Sequence, residues 1–244
     1  MPGMEVFILI VVGLLIGVSK AGFGGGTGIV VGPLLALLFP AKESVALMLP
    51  LLIACDVMAL YPYWRKWDAF NVSIIYPGAV LGILLAYPAL GMSDLALRRS
   101  IGGLAIGFAL LQVWRDWIVK TDAVLAPGWW GGTLVGVGTG FVSTLSHVGG
   151  TLTTMYLIPQ RLDNERFVGT TTALYLLINI AKTPVFIHQD MLTWDVFQRA
   201  LPLLPVVLVG TMLGVWLNRT VPGAWFSRVI LVVVFVTGLQ LLLS

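Results

Sequence analysis

The sequence predicts an all-α polytopic membrane protein of two inverted repeats, each a short broken or re-entrant helical hairpin plus three transmembrane helices. Counted as spans, this amounts to eight to ten helical segments. Three observations carry the prediction. Hydrophobic residues make up 58% of the 244 positions and charged residues 10%, with a mean hydropathy of +0.97. Ordinary soluble domains carry about 25% charged residues, so apolar surface on this scale must face lipid. Apolar stretches recur from Met4 to the C-terminus, and no polar segment is long enough to form a separate soluble domain. The third observation is duplication. "GGT" occurs at Gly25–Thr27 and again at Gly149–Thr151, and "WDAF" at Trp67–Phe70 is echoed by "WDVF" at Trp194–Phe197. The displacements, 124 and 127 residues, preserve order and spacing. The repeats are assigned to residues 1–120 and 121–244, integrated in a single membrane domain.

Each repeat reads in the same order. An apolar segment, Met4–Ser19 or Trp129–Leu145, leads into the glycine-threonine stretch. A short one follows, Ile29–Phe39 or Leu152–Ile158. It falls below the roughly 17 to 25 residues of a full crossing. Three longer segments complete each half: Val45–Trp64, Val72–Leu90 and about Arg99–Trp114, then Val168–Ile187, Ala200–Leu217 and Trp225–Leu243. A hairpin that dips or crosses twice returns the chain to its starting side. Three further crossings are an odd number, so the second repeat is inverted relative to the first.

Charge supports this layout. One side collects Arg65, Lys66, Arg115, Lys120, Arg161, Arg166, Arg219 and Arg228, and the other Lys42, Arg98, Arg99 and Arg199. The positive-inside rule then puts both termini outside the cytoplasm, in a bacterial inner membrane. The nine tryptophans, at 64, 67, 114, 117, 129, 130, 194, 216 and 225, lie near segment ends as interfacial anchors. Residues Met1–Glu5 include no Lys or Arg, so the first apolar run reads as a retained membrane segment, not a signal peptide. Cys55 is the sole cysteine, which rules out an intrachain disulfide and a cysteine metal cluster. The net charge of +3 is distributed over loops and gives nucleic-acid binding no support. No metal or cofactor is expected, and the oligomeric state is not readable.

The run "SKAGFGGGTGIVVGP" from Ser19 to Pro33 lacks the spacing of a P-loop or of a dinucleotide fingerprint. Glycine there bends the backbone or lets helices approach closely. Bent backbone at membrane depth persists where protein or a polar cavity satisfies it. A short helix starting inside the membrane also points free N–H groups and a positive dipole end inward, which attracts anions. Gly24, Gly25, Gly26 and Thr27 in one half, with Ser146, Gly149, Gly150 and Thr151 in the other, are therefore candidates to line an anion site. Tight packing alone is the competing account of these glycines.

Lys182 stands within "LLINIAKTPVF", with Asn179 three residues earlier on the same helical face. A lysine at a helix centre costs about 2.5 to 3.5 kcal/mol to insert, so it should face a cavity or partner. Lys20 precedes the first glycine run and either lines the cavity or marks a boundary. Asp56 is expected to form a structural ion pair or to carry a coupled proton, and His147 to bind substrate, move a proton or cap a helix. Ser143, Thr171 and the neighbouring Thr170 and Thr172 offer hydroxyls. A Ser–His hydrolase built on Ser143, Ser146 and His147 is disfavoured. Adjacent Ser146 and His147 project to different helix faces, and no nucleophile-elbow spacing is present.

The stretches "GFGGGTGIVVGPLL", "RKWDAF", the glycine-rich start of the second half and "NIAKTPVF" together resemble the TauE/SafE family, over essentially the whole chain. The resemblance implies a secondary transporter, not an enzyme, that moves sulfite, sulfonates or sulfoacetate by alternating access. An anion channel of the same architecture is the alternative. The second bend departs from the first, "SHVGGT" against "GFGGGT", and is expected to be more polar and less flexible.

Overall fold

The computed structural model describes residues 10–18, 31–118, 128–220 and 223–243. Lys20, Gly24, Gly25, Gly26 and Thr27, and with them the expected first bend, lie outside the described residues. Among the described residues every regular element is helical: α1 (10–18), α2 (Val31–Leu38), α3 (Ala41–Leu60), α4 (Ala69–Leu90), α5 (Asp94–Ile118), α6 (Trp129–Ser146), α7 (Gly150–Leu157), α8 (Asn164–His188), α9 (Trp194–Ala200), α10 (Leu204–Thr220) and α11 (Gly223–Leu243). Ala41–Tyr63, Ala69–Leu90, Asn164–His188 and Trp194–Gly214 are long and apolar enough to cross a bilayer. Leu84, Leu134, Met212 and Val232 are more than half exposed on the outside, whereas Asn71, Thr153, Thr170, Asn179, Asp56 and Lys182 are buried. Polar groups inside and hydrocarbon outside define an integral membrane protein.

Helix starts follow local chemistry. The Asp68 carboxylate accepts the Asn71 N–H at 2.8 Å to cap α4, and Asp163 accepts the Arg166 N–H at 2.9 Å to cap α8. In the second copy of the tryptophan-aspartate motif the cap moves one residue upstream of the tryptophan, to Thr193, whose hydroxyl accepts the Val196 N–H at 3.4 Å. Short 3₁₀ turns with proline in their first two positions close α3, α7 and α9.

The two ends of the bundle differ in charge. At one, Lys66 pairs with Glu165 at 2.9 Å, Arg166 pairs with Asp68 at 3.1 Å, and the Asp68 N–H donates to Thr170 Oγ1. Exposed Trp64 and Trp129 sit at this end. At the other end Arg199 pairs with Glu43 and Asp195, while Asp94 accepts the Ala41 N–H at 2.6 Å. Exposed Trp194 lies there. The two copies of the motif therefore stand at opposite ends, a placement that an inverted duplication requires. The side chains of Trp117, Trp216 and Trp225 lie outside the described set.

Asp68 both caps α4 and ties it to α8. Asp68→Ala should lower stability by about 1 to 2 kcal/mol, measured as the thermal midpoint in detergent. Asp68→Asn keeps the cap and should recover most of the loss.

The closest helix contacts cross between the halves. Helices α4 and α6 run side by side along a glycine seam: a Cβ at Gly82 would lie 2.0 Å from the Val137 carbonyl oxygen, and one at Gly140 would lie 2.0 Å from that of Ala79. Helices α1 and α10 meet in the same way, with Gly17 against the Val207 carbonyl and Gly210 against that of Leu14. The first helix of each half thus packs on a later helix of the other.

Candidate functional site

Helix α6 ends at His147, which adopts a left-handed conformation (φ 57°) and donates its N–H to the Ser143 carbonyl. The chain turns, and α7 runs back along α6. Thr153 Oγ1 lies 3.1 Å from Thr139 Oγ1, and the Tyr156 hydroxyl bonds the Gly128 backbone at the start of α6. The second hairpin thus returns to the end where it began.

Of the two uses expected of the glycines at this bend, Gly149 serves the close approach. The left-handed position belongs to His147, while Gly149 has an ordinary φ of −55°. Gly149 is required for closeness, since a Cβ there would lie 2.3 Å from the Thr139 carbonyl oxygen. Gly149 faces α6, whereas Gly150 lines a cavity. On the other side, a Cβ at Gly32 of α2 would lie 2.8 Å from the Ser146 carbonyl oxygen, so the short helix of the first half touches the bend of the second.

The cavity, about 30 Å³, is lined by Ser143, His147, Gly150, Tyr175 and Asn179, with Leu52 and Ile178 as its apolar wall. Lys182 is fully buried beside it although its helix ends six residues further on. Its ammonium is held in place by three acceptors: the Ser143 carbonyl at 3.1 Å, Ser143 Oγ at 3.1 Å and His147 Nδ1 at 2.9 Å. On the other edge of the ring, His147 Nε2 lies 2.8 Å from the Val45 carbonyl of α3. A carbonyl only accepts, so Nε2 carries hydrogen and Nδ1 is the edge left for Lys182. Asn179 Nδ2 donates to Asp56 Oδ2 at 2.7 Å, linking α8 to α3. The Tyr175 hydroxyl donates to the Gly150 carbonyl at 3.0 Å.

Charge at membrane depth, a broken helix, a small polar cavity and an apolar exterior are features of a small-ion carrier. A family model described as sulfite exporter TauE/SafE matches residues 9–241. The chain belongs to the TauE/SafE family. Searches of curated proteins and of solved structures returned no significant match. Family membership makes this protein a membrane transporter of the sulfite-exporter class.

Of the residues singled out in this TauE/SafE sequence, the fold gathers Lys182, Asn179, His147, Gly150 and Asp56. Others point elsewhere. Ser146 donates to the Val142 carbonyl, and Thr171 to those of Phe167 and Val168, so both hydroxyls serve their own helices. Thr151 is buried in α7 outside the cavity lining. Tyr175 was not singled out, yet Thr171, Tyr175, Asn179 and Lys182 follow helical spacing, and extending the Asn179–Lys182 face would have reached it. Ser143, four residues before His147, lies on the same face of α6 in the same way. Leu52 is the counterpart of Asn179 at the 127-residue displacement. The Val45 and Ser143 carbonyls have no sequence signal at all.

Proposed function

We propose that this protein exports a small sulfur-containing anion, of the sulfite, sulfonate or sulfoacetate type, across the bacterial cytoplasmic membrane. The anion occupies the cavity between α3, α6, α7 and α8. The observation that carries this reading is Lys182, a fully buried cation at a helix break beside a polar cavity. An ammonium there is strongly favourable to an anion because little water screens it. Asn179 orients one edge of the cavity, and the Ser143 hydroxyl donates to an oxygen atom of the anion. Transport proceeds by alternating access, with the cavity opening to one end of the bundle and then to the other. The end carrying Lys66, Arg161 and Arg166 faces the cytoplasm under the positive-inside rule, with both termini on the opposite side. The two halves are an inverted duplication in this reading, supported by the opposed positions of the two tryptophan-aspartate motifs and by the exchanged packing of α1 and α6.

The test is flux of sulfite and of small sulfonates in proteoliposomes. Saturable uptake accelerated by the same anion on the far side is the expected result. Flux that rises linearly without saturation or counterflow would make the protein a channel. No flux of any sulfur oxyanion through folded, inserted protein would overturn the substrate class.

A further inference from the structure

Asp56 and Lys182 are the two fully buried charged side chains among the described residues, 1% and 0% exposed. Their charges balance around the cavity. All three N–H directions of Lys182 are already occupied, two by Ser143 and one by His147 Nδ1. An anion therefore reaches the ammonium only if one of these acceptors gives way. The two Ser143 acceptors belong to one residue of α6, backbone and side chain together. The ring of His147 is the acceptor that chemistry can remove.

With Nε2–H committed to the Val45 carbonyl, the Nζ···Nδ1 contact of 2.9 Å holds a single shared proton. Whether lysine or histidine carries that proton, the pair bears one positive charge. A second proton cannot be accommodated, because two N–H groups would then face each other. Among the described residues, the groups in contact with His147 include Lys182 and the Phe186 ring from α8, the Val45 carbonyl from α3 and Ser143 from its own helix. Tyr175 stands on the cavity wall and Asp56 behind Asn179.

We propose that His147 couples anion binding to the uptake of one proton, the proton ending the Lys182–His147 contact and freeing an ammonium N–H for the anion. The proposal rests on the cavity being the anion site. Charge counting sets the stoichiometry. A monoanion entering alone leaves net negative charge in a desolvated site, and a proton entering alone leaves net positive charge. Both are costly. Together they preserve neutrality, so each raises the affinity for the other. His147 is thus a positioning residue that acts through Lys182.

The sign follows. A proton taken up on binding makes affinity rise as pH falls, by up to about tenfold per pH unit for one proton. Methanesulfonate is the probe, because it stays a monoanion across neutral pH and its own titration cannot mimic the effect. Calorimetric titration in two buffers of different ionisation enthalpy counts the protons taken up. The native chain should take up close to one proton per anion. His147→Asn leaves Lys182 an acceptor in place of Nδ1 that no proton can remove, so its anion binding should be at least about tenfold weaker, without proton uptake and without pH dependence. Anion binding by the native chain with no proton uptake overturns the proposal, as does unchanged uptake in His147→Asn. The native measurement decides alone if that variant misfolds. Failure of the native chain to bind either methanesulfonate or sulfite would sink the anion site itself, and the coupling with it.

Discussion

Lys182→Met is expected to reduce anion flux in proteoliposomes to the level of protein-free vesicles, with the variant still folded and inserted. Methionine keeps most of the volume of the lysine stem, so no sizeable cavity is created. What disappears is the buried charge. Truncating one partner of a buried charged contact costs about 2 to 5 kcal/mol, and each 1.4 kcal/mol is about tenfold in affinity. The loss therefore runs from tens to thousands of fold. The variant also leaves Asp56 with its balancing cation gone, which lowers stability for a reason unrelated to transport. Lys182→Met combined with Asp56→Asn separates the two effects. The double variant should regain thermal stability and remain without flux. Recovered flux in the double variant, or native-like flux in Lys182→Met, would remove the lysine from the anion path.

Leucine at Gly82 or Gly140 should abolish the folded protein. The obstacle at each position is a backbone carbonyl 2.0 Å from the would-be Cβ, and a carbonyl inside a helix cannot rotate away as a side chain can. Overpacking costs about 1 to 3 kcal/mol where neighbours are able to adjust. Here α4 and α6 would have to separate along their whole seam. Size-exclusion profiles and thermal midpoints of detergent extracts give the readout. Gly107, with nothing within 4 Å of a Cβ, is the matched control, and Gly107→Ala should be indistinguishable from the native chain. A monodisperse, thermally stable Gly140→Leu protein would show that the seam is not what holds α4 against α6.

Hydropathy located the helices well because lipid demands long apolar runs and little else competes with that demand. It erred at their ends. Val72 and Val168 mark where the apolar runs begin, whereas α4 and α8 start at Ala69 and Asn164. Helices begin at capping groups, and a cap such as Asp68 or Asp163 is polar by necessity. The fourth segment of the second half began at Ala200 in the sequence and begins at Trp194 in the fold, as a short helix joined through a proline turn to α10.

The site was legible to the extent that it is made of side chains unusual for a membrane. Lys182, Asp56 and Asn179 stand out against hydrocarbon. Their geometry was not legible. The partner of Asn179 is Asp56, on a helix 123 residues away, and such pairings depend on how helices rotate about their own axes. The glycine pattern left two uses open, a bend and a close contact. At Gly149 it is the contact that the fold uses, while the left-handed turn falls on His147. Sequence cannot separate those uses, since glycine serves both through the same missing Cβ.

The glycine seam has a consequence for biosynthesis. Helix α4 leaves the ribosome well before α6, so the face that carries Gly78 and Gly82 has no protein partner until the second half is made. Asp56 likewise precedes Asn179, and its carboxylate has to wait for that amide. The glycine face of α4 in this TauE/SafE chain thus stays open until α6 is made, and the Asp56 carboxylate until α8 is made. If the duplication is ancestral, a single-repeat forebear had to satisfy the same surfaces with a second, oppositely oriented copy of itself.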